Sequence, residues 1–205
     1  MGHWKKTFMP EELVNAGDEI SEFSILRITP GVEEEVTLEG VESFSQYDDE
    51  SGYNISRFVF DGTSLVGNSL PMEANPREPA QSTPVKKMKV TLEKAPDKFH
   101  LYNNGMTIFA SRLAHIPGEG GNKGAVTLGF DKSDQGICNG GHTYFSCKRA
   151  IMEGLLSGEF RINAEVLILP EEYDEEGIKK ATVEISRARN LNKQINEASI
   201  ADQMG

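Results

Sequence analysis

The spacing of apolar residues changes character along this chain, and the change falls on a short glycine turn. From Phe23 to Phe130 the apolar residues come in brief, mostly alternating runs: FSILRIT (23 to 29), EEVTLEG (34 to 40), ISRFVF (55 to 60), KMKVTLEK (87 to 94), MTIFASRLA (106 to 114) and AVTLGF (125 to 130). Alternation sends successive side chains to opposite faces of an extended chain, so each run predicts a strand. After Thr143 the spacing becomes helical, with Tyr144, Cys147, Ile151 and Leu155 on one face and Gly158 as a stop signal. Phe160 to Ile168 alternates again and ends at Pro170. A helix is expected from about Glu175 to Asn190, with Ile178, Ala181, Ile185 and Ala188 inward, and another from Glu197 to Met204. The expected fold class is α/β or α+β, a strand-rich N-terminal half followed by a β-helix-β-helix-helix unit.

A strand, a crossover helix and a second strand usually form a parallel pair, because the helix covers the sheet face while carrying the chain back. The glycine turn then sits at a strand's carboxyl end, where open α/β sheets bind ligands. Residues 96–205 are expected to form this unit. Residues 1–95 are expected to pack on the same core or to make a small subdomain, and the proline-rich LPMEANPREPAQSTP (70 to 84) reads as an exposed, mobile excursion.

With 205 residues, 38% hydrophobic and 26% charged, the chain can bury a core and is not a disordered protein. Its formal net charge of -11 repels phosphate backbones and anionic membranes, so a nucleic-acid contact would need a local basic patch. Lys86, Lys87, Lys89, Lys94 and Lys98 make one such stretch. Two cysteines are too few for a disulfide framework, and neither a secretory signal nor a long apolar run stands in the sequence. A cytoplasmic location without a membrane partner is expected.

Three stretches carry polar chemistry. In GICNGGHTYF (136 to 145), Gly140 and Gly141 let successive amides converge on an anion at a helix start, Asn139 and Thr143 can cap or donate, and His142 can donate. The same residues also fit a plain tight turn. A Cys138–His142 nucleophilic pair and a zinc site of Cys138, His142 and Cys147 are weaker readings, since three ligands fall short of a structural zinc set and Cys147 sits on the helix's apolar face. Asn103-Asn104-Gly105 fits a hairpin turn, or a site wall of uncharged donors and acceptors. In VEISRARNLNKQI (183 to 195), Glu184 and Arg187 share a helix face, so Arg187 or Arg189 can grip phosphate and Glu184 can hold a cation brought by a nucleotide, or the two can form a solvated ion pair.

Taken in order, YNNGMTIFA, GICNGGHT and VEISRARNLNKQI resemble the AIPR family, named for abortive-infection phage-resistance proteins, over about residues 99 to 203. More remotely, the same half is similar to the ParB/sulfiredoxin superfamily, in which a glycine turn opening a helix holds nucleotide phosphates. Thr143 stands where those relatives usually carry arginine, Ile185 replaces an asparagine of a ParB-like box, and Gly141 fills the slot of the sulfiredoxin cysteine, so sulfinic-acid reduction is not expected.

These readings together predict a phage-defence-type domain that binds a nucleotide or other phosphorylated small molecule. Asn139, Gly140, Gly141, His142 and Thr143 would form the phosphate turn, with Asn103, Asn104 and Gly105 across the pocket and Arg187 and Asn190 closing it. Glu184 would place magnesium. If the chain is catalytic, His142 and Glu184 are the expected participants and phosphoanhydride or phosphodiester hydrolysis the expected reaction. The alternative is a non-catalytic nucleic-acid-sensing or protein-interaction module of a defence system. A third expectation is that the sequence is a piece of a longer protein, since family members usually continue into a helical region.

Overall fold

The computed structural model describes residues 34–72, 74, 83–131, 134–156, 158–170 and 172–191. The strand expected at 23 to 29, the helix expected from Glu197 to Met204 and most of the proline-rich stretch lie outside them. Mixed α and β elements surround a seven-stranded sheet. The strands are β1 (Glu34–Asp48), β2 (Asn54–Asp61), β3 (Met106–Ala110), β4 (Arg112–Ile116), β5 (Gly124–Phe130), β6 (Gly136–Asn139) and β7 (Arg161–Ile168), in the order β4-β5-β1-β2-β7-β3-β6. The helices are α1 (Thr83–Lys94), the one-turn α2 (Phe99–Tyr102), α3 (Gly141–Met152) and α4 (Glu175–Leu191).

Alternation works as a guide where it decides which strand face is buried. Phe58 and Phe60 on β2 and Ile162, Ala164 and Val166 on β7 enter the main core, together with Leu92 of α1 and Tyr144, Cys147 and Ala150 of α3. The opposite face carries a smaller cluster of Phe109, Cys138 and Leu167, against which Ile55 and Ile185 of α4 pack. One face of the sheet is thus covered by α1 and α3, and part of the other by α4.

Several expectations fail here: the start of the proline-rich stretch is not exposed, with Leu70 and Ala74 buried, and MTIFASRLA forms two strands that part at Ser111. KMKVTLEK is helical: Val85 and Leu92 are buried and Met88 packs on the core, a stripe at helical spacing, while Val90, which alternation would bury, is 48% exposed. The β6–α3–β7 connection also does not make a parallel pair. β3 lies between the two strands, antiparallel to β6 and parallel to β7, so β6 and β7 run in opposite directions. Another strand, brought in from before the turn, occupies the place beside β7 that a simple crossover would give to β6.

Candidate functional site

The two glycine motifs meet at one end of β3 and β6. Gly140 has φ 91° and is itself the N-cap of α3, with no side-chain cap, and the Thr143 hydroxyl is the donor of a bond to Asn103. A β-carbon on Gly140 would strike the Gly105 carbonyl oxygen and lie 2.9 Å from Met106 Cα, which only glycine avoids. Gly105 has φ 77°, and a β-carbon there would strike the Asn163 carbonyl of β7. The close approach of the chains therefore requires glycine at both positions.

Asn103-Asn104-Gly105 is not a hairpin turn. It carries the chain from α2 into β3, and Asn103 folds it: its Oδ1 accepts from the Gly105 amide (2.7 Å) and from Thr143 Oγ1 (3.0 Å). Asn163, missed in the sequence, holds the same turn by donating to the carbonyls of Asn103 (3.1 Å) and His100 (2.7 Å). Thr143 is 5% exposed and its hydroxyl serves this internal bond. Asn103 and Thr143 thus link the two motifs.

Beside this junction lies an open cleft of about 680 Å³, a size suited to a small-molecule ligand. Asn104, Gly105, Thr107 and Asn139 line it, faced by Ile185, Ala188 and Arg189 of α4 and by Asp49, Tyr53 and Ile55 from the β1–β2 hairpin and β2. Asn139 reaches it through an irregularity in the β3–β6 ladder. Ile108 pairs with Ile137 but Thr107 pairs with Asn139, so Cys138 is an extra residue, and this bulge aims both Cys138 and Asn139 away from the main core.

Of the residues expected at the site, Asn104, Gly105 and Asn139 line the cleft, Asn103 and Thr143 brace it, and Gly140 makes the close contact behind it. Gly141 and His142 occupy the first turn of α3, buried and half-buried, and are not among the lining residues. Glu184 and Arg187 are exposed on α4 and do not line the cleft either, and the Asn190 side chain lies outside the described residues. Among the described residues no group of three or more His, Cys, Asp or Glu side chains could hold a metal ion.

The electrostatics were not readable from spacing. Glu165 of β7, 12% exposed, lies between two guanidiniums, with Arg57 Nε at 2.7 Å and Arg189 Nη2 at 2.5 Å. The bond and charge of Glu165 hold the Arg57 guanidinium above its ordinary pKa. Burial, the Tyr173 hydroxyl 3.5 Å away and the charges of Tyr173, Glu184 and Asp49 push the Tyr53 phenol up to about 12, so it faces the cleft as a neutral hydroxyl. Burial likewise pushes the Cys138 thiol up to about 12 and raises Cys147. Both cysteines are fully enclosed, which removes the accessible thiolate that a nucleophile needs.

No curated protein and no solved structure matches the chain. Residues 72–204 match the family described as AIPR protein, a span that holds all three polar motifs and well over half of the sequence. The chain belongs to the AIPR family.

Proposed function

We propose that this AIPR chain has a phage-defence-type role and binds a nucleotide or another phosphorylated small molecule in the cleft beside the two glycine turns. The observation that carries the reading is the meeting of Asn103-Asn104-Gly105 with Asn139-Gly140, which places two asparagines on a cleft that also holds a guanidinium from α4. Asparagine amides and a neutral phenol suit the ribose and base, and arginine suits phosphate. Glu184 contributes charge near Tyr53 and, with Asp49, would attract a magnesium ion carried by the ligand, which keeps most of its own waters. The reaction such a cleft would support is hydrolysis of a phosphoanhydride or phosphodiester, and His142 and Glu184, which do not line it, would act there only from its margin.

A thermal-shift panel of nucleoside mono-, di- and triphosphates, with and without magnesium, tests this reading. Binding to the folded state raises the melting temperature. At least one nucleotide is expected to stabilise the parent, and to do so less in Asn104→Ala. A panel without any shift contradicts the proposal.

A second reading has its own observation. Lys86, Lys87 and Lys94 of α1 are exposed, as is Lys98 just after it, with Leu101 and Tyr102 of α2 exposed at 69% and 70%. A basic helix followed by an exposed aromatic supports a nucleic-acid-sensing or protein-interaction module.

A further inference from the structure

Strand pairing places four polar residues in a single row across the sheet. Arg57 of β2 is opposite Glu165 of β7, Glu165 is opposite Thr107 of β3, and Thr107 is opposite Asn139 of β6. Side chains directly opposite one another share a face, and this is the face that α4 partly covers. The next row is apolar, with Ile55 opposite Leu167 and Leu167 opposite Phe109. A polar row set into a half-buried face costs desolvation that apolar residues would avoid. Within the row two guanidiniums meet one carboxylate, and of the two only Arg189 lines the cleft, where Asp49 stands among the other lining residues. Glu165 Oε1 is enclosed and, although Arg189 approaches it, no donor is aligned on it as a hydrogen bond. Arg189 is therefore held against Glu165 by charge, and it lines the cleft.

We infer that Arg189, seated on Glu165, is the group that grips the phosphoryl oxygens of the ligand, with Thr107 and Asn139 as the hydrogen-bonding floor. The inference rests on the cleft being a site for a phosphorylated ligand and identifies its anion subsite. Glu165 is a positioning residue: its carboxylate fixes the Arg189 guanidinium at the cleft wall. Arg187, two residues earlier on the same helix, is exposed to solvent and points elsewhere.

The test is calorimetric titration of inorganic pyrophosphate into the full chain and four variants, Arg189→Gln, Arg189→Lys, Arg187→Gln and Lys180→Gln. Arg189→Gln is expected to weaken pyrophosphate binding by roughly tenfold or more, the usual consequence of losing a charge-assisted contact. Arg189→Lys keeps the charge and the pairing with Glu165 but loses the planar fork, so a smaller loss is expected. Lys180→Gln removes the same charge from the exposed side of α4 and should stay within about twofold of the parent, since exposed charges are screened. The inference is overturned if pyrophosphate does not bind the parent, if both Arg189 variants bind it as the parent does, or if Arg187→Gln abolishes binding while Arg189→Gln does not. In each case a nucleotide that still raises the melting temperature leaves the broader proposal standing, with base and sugar supplying the contacts.

Discussion

Two adjacent asparagines divide the work at the glycine junction. Asn103 is half-buried and its side-chain oxygen satisfies two donors, the Gly105 amide and the Thr143 hydroxyl. Asn103→Ala leaves both without that acceptor and is expected to lower unfolding stability by about 1–3 kcal/mol in urea denaturation. Asn104 is exposed and lines the cleft. Asn104→Ala is expected to leave stability within roughly 0.5 kcal/mol of the parent while reducing nucleotide-dependent stabilisation. Equal destabilisation by the two substitutions would contradict this division. Gly105→Ala combines a left-handed backbone with a clash against the Asn163 carbonyl, so a loss of roughly 2 kcal/mol or more is expected in the same measurement.

Burial of β6 and α3 makes the two thiols reporters of folding. Cys138 moves from an ordinary value of 9.0 to about 12, and Cys147 moves in the same direction. Folded thiols stay protonated where unfolded thiols ionise, so the unfolded chain releases protons first. Their contribution to stability is complete below about pH 9 and declines as pH rises toward about 12, by up to ~1.4 kcal/mol per pH unit for each thiol. Urea midpoints measured from pH 7 to pH 10.5 should fall above pH 9, and less steeply in Cys138→Ala; identical slopes would contradict the burial account. Cores of this kind can be read from sequence when periodicity has a single solution, as for Tyr144, Cys147 and the Ile178–Ala181 stripe. The segment KMKVTLEK has two solutions, and contacts between α1 and α3 select the helix. Sequence order also hid the insertion of β3 between β6 and β7, and with it the opposition of Arg57, Glu165, Thr107 and Asn139. The choice between Arg187 and Arg189 depends on how α4 is rotated over the sheet, which spacing alone leaves open.

Across the whole molecule, a net charge of -11 coexists with two local concentrations of positive charge, one on α1 and one at the Arg57–Glu165–Arg189 cluster. The two make different demands on salt. Binding of a long polyanion to the α1 lysines would release counterions and weaken steeply as salt rises, whereas a small phosphorylated ligand in the cleft touches few charges and should show a shallow dependence. Replacing Lys86, Lys87 and Lys94 together with glutamine is expected to leave nucleotide-dependent stabilisation in place, as read by thermal shift; its loss would move the site to α1. Amide chemical-shift mapping of the labelled full chain, titrated with ADP and magnesium, tests the cleft most directly. The account predicts perturbations concentrated at Asn104, Gly105, Thr107, Asn139, Gly140 and Arg189. Perturbations confined to residues 86–98, or none at saturating nucleotide, would contradict it.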